Sequence, residues 1–395
     1  MALKAIRLEQ AAAASGALAY AAANAFLAAG LGAFGRPHGL DEAEAGLVLA
    51  VGAVAGVLFA PIWGYGSERF GRRRLLLLAS VVMTLAPLAM ALIFASPWPT
   101  VALVPALVVA RALLSTGGAG LVPLAQAYVA DTATSERRLQ GMGAVSFALS
   151  LGTLLGSLLL SVVDRTGVIL GLLSLLAVGA LSTVIIWVWV PDRGRPQTET
   201  SDVAIEMDAV WPFLAITFSG FLAYGMVVPL IGLRFIDILG MSPESAAAAA
   251  GMVLTVTSIA LALSHASVAL VGGFGFSAML IAGCMSGAGA ILLLTPSADV
   301  GSTAFAMALI GLTLGQAGPA NNAALSLVAG ALVQGKAAGL NAAARNLGLA
   351  VGPLIGGLLY QQSIALPFHV AALMLICTAL LAILGRRSLA RRSVT

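Results

Sequence analysis

The chain alternates long apolar stretches with short polar breaks. Stretches of spanning length lie at 11–34, 45–65, 75–95, 101–127, 140–163, 168–190, 210–233, 245–266, 276–295, 303–328, 340–361 and 366–385. Each matches the ~20 residues that a helix needs to cross a bilayer core. They are too long and too continuously apolar for barrel strands, whose residues alternate between lipid and lumen. Only helices satisfy their own backbone groups segment by segment in lipid. The pattern therefore predicts an all-α membrane protein of twelve transmembrane helices.

One sustained polar stretch, from Pro191 to Asp208, interrupts this series. It divides the chain into an N-terminal six-helix half (1–190), a cytoplasmic linker (191–209) and a C-terminal six-helix half (210–395) that ends in a basic cytoplasmic tail. A repeat supports the division. Gly143, Gly152, Gly156 and Pro123 fall on Gly339, Gly348, Gly352 and Pro319 at one offset of 196 residues, so spans four and five echo spans ten and eleven.

Composition sharpens this picture. Only 9% of the 395 residues are charged and 60% are hydrophobic, too little charge to keep the surface of a soluble protein of this length wet. Soluble enzymes and nucleic-acid binders are excluded on that ground. The N-terminus, with Lys4 and Arg7 before an Ala-rich run, has features of a secretory signal, but the apolar run continues to Phe34 and reads as a first span.

The basic residues orient the chain. With both termini cytoplasmic, the inner side carries fifteen: Lys4, Arg7, Arg69, Arg72, Arg73, Arg74, Arg137, Arg138, Arg193, Arg195, Lys336, Arg386, Arg387, Arg391 and Arg392. Only Arg36, Arg165 and Arg234 fall outside. Loops rich in Lys and Arg resist translocation, so this excess predicts a multi-pass protein of the inner membrane with both termini inside.

Between spans two and three stands Gly64-Tyr-Gly-Ser-Glu68-Arg69-Phe-Gly71-Arg72-Arg73-Arg74. A Gly, three residues, an acid, a base, one residue, Gly and two bases, in that loop of a twelve-helix chain, resembles the signature loop of the major facilitator superfamily. Glu68 stands where that family usually has Asp. The glycines allow a tight turn between crowded helix ends. The resemblance implies two pseudo-symmetric halves that rock about a central site. It places Glu68 near the start of span eleven, around Gly339 to Asn341, and pairs Arg72 with Asp131 at the inner end of span four. Gly64, Glu68, Arg69, Gly71, Arg72, Arg73 and Asp131 would form a conformational latch that holds the outward-facing state.

The resemblance is to the twelve-helix drug and metabolite efflux branch (drug–proton antiporter-1-like). In span four, Arg111 followed by Gly117, Gly118 and Gly120 partly matches that family's second motif, with Leu114 and Ser115 in place of Gln and Gly. The Gly-Pro pattern expected on span five is incomplete at Gly152–Ser157. It appears in full on span eleven as Gly352-Pro353-Leu-Ile-Gly356-Gly357. There Gly352 and Pro353 would supply a bendable packing seam. Between spans eight and nine, His265 to Phe276 holds no charge, so no second latch is expected there.

Candidate chemistry is sparse. Cys284 and Cys377 read as small core residues, and the three histidines show no ligand spacing, so no metal or cofactor is expected. None of the 16 acids lies at mid-span, although proton-coupled relatives usually need such a group. Asp131, His265 and His369 remain as rim candidates for a coupling proton. Arg111 lies near the midplane, and Arg345 about one turn inside span eleven. A cavity with these arginines and no buried acid favours anionic or zwitterionic solutes. Polar side chains that could join it are Tyr20, Asn24, Gln126, Tyr224, Asn321, Asn322 and Asn346.

The expected activity is that of a secondary transporter, not an enzyme. It would export a small organic solute such as a siderophore or organic acid and function as a monomer in the lipid bilayer. Proton-coupled efflux of lipophilic cations is the rival transport reading, and a transport-inactive sensor or scaffold on the same fold is the alternative of another class.

Overall fold

The computed structural model describes residues 2–132, 138–192, 205–270, 276–329 and 334–392. Among them every regular element is helical. The spans are Ala2–Gly35, Glu42–Phe70, Arg72–Ala95, Thr100–Thr132, Arg138–Leu160, Val168–Trp189, then Met207–Val227 with Leu230–Leu239, Pro243–Leu270, Phe276–Leu292, Val300–Ala329, Gln334–Gln362 and Leu366–Arg392. Ten segments are long and apolar enough to cross a membrane, and Ala144–Leu160 and Ala278–Leu292 are shorter apolar helices. All twelve predicted spans are present.

Most helices run past their apolar stretch, because helical backbone propagates cheaply into polar flanks once nucleated. Residues 386–392, expected as a tail, continue the last helix. Span eleven begins at Gln334, so Arg345 sits eleven residues, ~16 Å, from its start and not one turn.

Span seven departs further from expectation. Pro229 has no N–H to continue the ladder, and the helix breaks after Val227 and restarts at Leu230. The second piece ends at Gly240, whose φ of 64° suits glycine and lets its N–H bond to the carbonyls of Phe235 and Ile236. Arg234, expected in an outer loop, is instead buried in this piece, at 2% exposure. Cys284 is buried as expected, whereas Cys377 is exposed on span twelve.

The chain forms two compact units: Met1–Thr198 with Met241–Met252, and Glu199–Gly240 with Val253–Thr395. The start of span eight thus groups with the first unit. Within the first, span one packs against spans four, five and six, and span three against spans four and six. Within the second, span seven packs against spans ten, eleven and twelve, and span nine against spans ten and twelve. The two units repeat one set of helix pairings.

Glycines show why. A methyl group on Gly152 or Gly156 of span five would collide with the carbonyl oxygen of Leu18 or Ala22 on span one. In the second unit, Gly348 and Gly352 meet the carbonyls of Phe218 and Leu222 on span seven in the same way. Each glycine pair is spaced four residues apart and lets two backbones touch, the small-residue seam by which helices associate in lipid.

Candidate functional site

In the first unit, three helices place polar or backbone groups at one depth. Asn24 lies eleven residues before the end of span one, Arg111 eleven after the start of span four, and Gly52 ten after the start of span two. At 1.5 Å per residue, each is ~16 Å from the helix end on the side that carries Arg36.

The Nη2 of Arg111 donates to Asn24 Oδ1 at 2.7 Å. Arg111 is only 5% exposed, yet its Nε and Nη1 have no hydrogen-bond partner, and neither has Oγ of Ser115, one turn further along. Gly52 explains how the guanidinium fits. A methyl group there would come 2.6 Å from Arg111 Cγ, 2.7 Å from Nε and 2.9 Å from Ser115 Oγ. Tyr20, one turn before Asn24, lays its ring against Gly118, where no side chain could be accommodated. On this stretch of span one Tyr20, Asn24 and Ala28 are half-buried, whereas Ala21 to Ala23 and Ala25 to Leu27 are buried. Tyr20 and Asn24 thus share one half-buried stripe of span one, and Asn24 meets the buried Arg111 there.

No carboxylate answers this cation on the helices that hold it. Glu9, fifteen residues from Asn24, is ~22 Å away along span one, and accepts from the Tyr128 hydroxyl at 3.0 Å. Asp131 is ~30 Å from Arg111 along span four, and Glu44 is ~12 Å from Gly52 along span two. A buried charge normally has a paired and hydrogen-bonded partner. Here it has one neutral amide.

In the second unit Arg345 is exposed and lies over the ring of Phe221, 4.9 Å from its centroid, a cation–π arrangement. Phe218, Phe221 and Tyr224 of span seven are half-buried at helical spacing. A separate polar group ties spans seven, ten and eleven. Thr217 Oγ1 donates to Asn341 Oδ1 at 2.6 Å, Asn341 Nδ2 to Asn322 Oδ1 at 2.8 Å, and Asn321 Nδ2 to both the Phe213 carbonyl and Thr217 Oγ1 at 2.9 Å. Asn322 is exposed, while Asn321 is buried. Gln126 is exposed on span four, fifteen residues or ~22 Å from Arg111, and so lies apart from that site.

At the end of the first unit that carries the arginine-rich loop, Gly71 has a φ of 91° and joins spans two and three directly. Arg72 Nε donates to Asp131 Oδ2 at 3.0 Å and another of its nitrogens to Ser67 Oγ. Arg73 donates to the Trp187 carbonyl at 2.7 Å, at the end of span six, and Arg69 stacks over Phe70 at 5.6 Å. Gly64 has open space around it. The side chains of Glu68 and His265 lie outside the described residues, and His369 is exposed. No group of His, Cys, Asp and Glu able to hold a metal occurs among the described residues. Gly225 of span seven packs on Gly352 and Pro353 of span eleven, just before the break in span seven.

A family-wide sequence model described as Major Facilitator Superfamily matches residues 12–348, most of the chain. The chain belongs to this superfamily. Like its other members it is a transporter of small-molecule solutes, a multi-pass membrane protein and not an enzyme. Multidrug resistance protein 2 of Bacillus subtilis (strain 168) is 25% identical over 352 residues, covering 85% of each chain. The multi-drug resistance efflux pump PmrA of Streptococcus pneumoniae is 32% identical over 112 residues, 28% of this chain and 26% of that one. Among solved structures, a D-xylose-proton symporter superposes with a TM-score of 0.78 at 17% identity, covering 95% of this chain and 97% of that one. The human organic anion transporter MFSD10 does so at 0.68 and 17%, covering 95% and 99%. At such identities these structures show the major facilitator fold alone.

Gly52, whose missing side chain makes room for Arg111, was not among the residues singled out from sequence, and Ser115 was named there only for its place in the span-four motif. Ser115 was legible, because i and i+4 share a helix face. Gly52 was not, since only tertiary packing brings it to the guanidinium. Thr217 and Asn341 are mid-helix polar residues whose link to Asn321 likewise emerges only once spans seven, ten and eleven are packed.

Proposed function

We propose that this superfamily member exports a small organic anion or zwitterion, of the siderophore or organic-acid class, across the inner membrane by alternating access. The observation that carries the reading is Arg111, a buried guanidinium with two idle donor groups and only Asn24 as partner. A carboxylate is the natural complement to such a fork, because guanidinium and carboxylate form paired, charge-assisted hydrogen bonds. Within the second unit, Arg345 over Phe221 sets a cation beside an aromatic ring, a pairing that by itself suits an anion with a planar ring. On this reading Tyr20 and Asn24 line the approach to Arg111 within the first unit, and Arg72 with Asp131 steadies one conformation of the loop between spans two and three.

A second reading, multidrug efflux of lipophilic cations, has support in the names of the curated relatives. The two readings require opposite signs of charge in the solute. Purified protein in proteoliposomes, tested with labelled benzoate, succinate and citrate and separately with a lipophilic cation such as ethidium, separates them. Anion flux that Arg111→Ala abolishes supports the first reading. Ethidium flux driven by an imposed pH gradient, with none of the anions moving, would contradict it.

A further inference from the structure

We infer that Asn322, Asn341 and Arg345 of the second unit form a site for an oxyanion, a carboxylate or a phosphate, built apart from Arg111. Its polarity is set by one backbone carbonyl. The two ends of a side-chain amide are told apart only by their partners. Asn321, 3% exposed, turns one end to the Phe213 carbonyl at 2.9 Å, and a carbonyl can only accept. That end is therefore Nδ2, which also donates to Thr217 Oγ1 at 2.9 Å. The Thr217 hydroxyl in turn donates to Asn341 Oδ1 at 2.6 Å. Asn341 thereby presents its Nδ2 to Asn322 Oδ1, 2.8 Å away. The side-chain oxygens of Thr217, Asn341 and Asn322 are thus all engaged within the group. What it has left to offer, among the described residues, is donors alone: both hydrogens of Asn322 Nδ2 and the second hydrogen of Asn341 Nδ2.

Turning Asn321 over would set oxygen against oxygen at the Phe213 carbonyl, so the amide keeps this orientation even though its buried Oδ1 is left without a partner. The relay therefore runs one way, from a buried carbonyl to an exposed amide on Asn322. Charge points in the same direction. Span eleven carries Lys336 and Arg345 and no acid, and span ten has no acid at all. On the first piece of span seven the one acid is Asp208, nine residues or ~13 Å from Thr217. Arg345 lies one turn beyond Asn341 on the same helix face and, like Asn322, is exposed. Asn341 is seven residues after the start of span eleven and Asn322 seven before the end of span ten, each ~10 Å from its helix end. A face of donors beside a guanidinium complements a group that is negative and only accepts. Thr217 and Asn321 are positioning residues, which fix the way the two outer amides face. The site stands whatever Arg111 holds, and its ligand is either the carboxylate of a solute or free phosphate.

The probes are succinate and inorganic phosphate, titrated calorimetrically into purified Arg111→Gln protein, where the first-unit guanidinium no longer contributes. Saturable binding is expected, weaker than any tight phase of the parent, and it should fall at least tenfold when Asn322→Asp is added. That change swaps the free donor for a negative acceptor at an exposed position. Thr217→Val, which keeps the shape and removes the hydroxyl, should weaken binding three- to tenfold, and Thr217→Ser should restore it. A purely packing role for Thr217 predicts the reverse order and would overturn the relay. Succinate binding alone marks a solute carboxylate as the ligand and phosphate binding alone marks free phosphate; either supports the site. Binding to the parent that vanishes in Arg111→Gln overturns the second site and leaves the Arg111 reading intact. Binding that survives Arg111→Gln but ignores Asn322→Asp overturns it as well, as does failure of both probes to bind any form.

Discussion

A guanidinium buried in a membrane protein needs acceptors for its donors, and Arg111 finds only one, on Asn24. Removing that acceptor leaves a third donor group unanswered. Asn24→Ala is therefore expected to lower stability by about 1–3 kcal/mol, the usual cost of an unsatisfied buried polar group. Scanning fluorimetry of the purified protein should show the loss, and on the proposed anion reading a bound anion should recover part of it, because ligand binding stabilises the folded state. A different residue illustrates ordinary capping. Hydrogen bonds from the backbone N–H and the hydroxyl of Ser302 hold the Asp299 carboxyl below its usual range, at the start of span ten. A lowered carboxylate value stabilises the fold above the unfolded pKa, ~3.9, and that contribution fades as pH falls through the lowered value. Asp299→Ala should thus melt earlier than the parent at pH 7. The gap should begin to narrow as pH falls through about 4 and close below the lowered value, and an undiminished gap in acid would point to packing instead of charge.

At the level of helices, the apolar pattern was a sufficient guide to number and order, because a bilayer admits so few solutions. It failed at the features set by neighbours. The break in span seven turns on Pro229 inside an otherwise apolar run, and the run continues to Leu239 because Arg234 is answered from outside its own helix. Arg234 donates to the carbonyls of Thr295 and Ser297 and lies over the Phe368 ring at 5.9 Å, partners that no reading of one segment reveals. Tyr360 meanwhile donates to Asp237 on the same short helix. Arg234→Leu should cost about 1–3 kcal/mol for each carbonyl left without a donor, measurable as a lower melting temperature that Arg234→Lys partly restores. The glycine seams were legible as an offset of 196, but their partners were not. Gly156→Val should destabilise by about 1–3 kcal/mol or more, since its side chain would strike the Ala22 carbonyl. Gly64→Ala, in open space, should be nearly neutral in the same assay.

For the molecule as a whole, scarcity of charge is the organising fact. Of 36 charged residues, two arginines were placed inside spans from sequence, and the structure adds Arg234, which like Arg111 and unlike Arg345 is buried. Pairs such as Arg72–Asp131 lie at helix ends, with one partner 37% exposed. An exposed pair of this kind contributes about 0–1 kcal/mol, so its value to the protein is conformational if it has one. Asp131→Asn should accordingly leave the melting temperature within a degree or two while slowing solute flux several-fold, and the swap Arg72→Asp with Asp131→Arg should restore part of the rate. Unchanged flux would reduce the pair to an orienting charge. The account stands or falls on what Arg111 binds. Isothermal titration of the purified transporter with benzoate, succinate and citrate addresses it without the complications of flux. The prediction is saturable binding of at least one anion, weakened roughly 30-fold or more in Arg111→Gln, the equivalent of about 2 kcal/mol for losing one side of a buried charge pair. Anion binding of equal strength in the parent and in Arg111→Gln would contradict it.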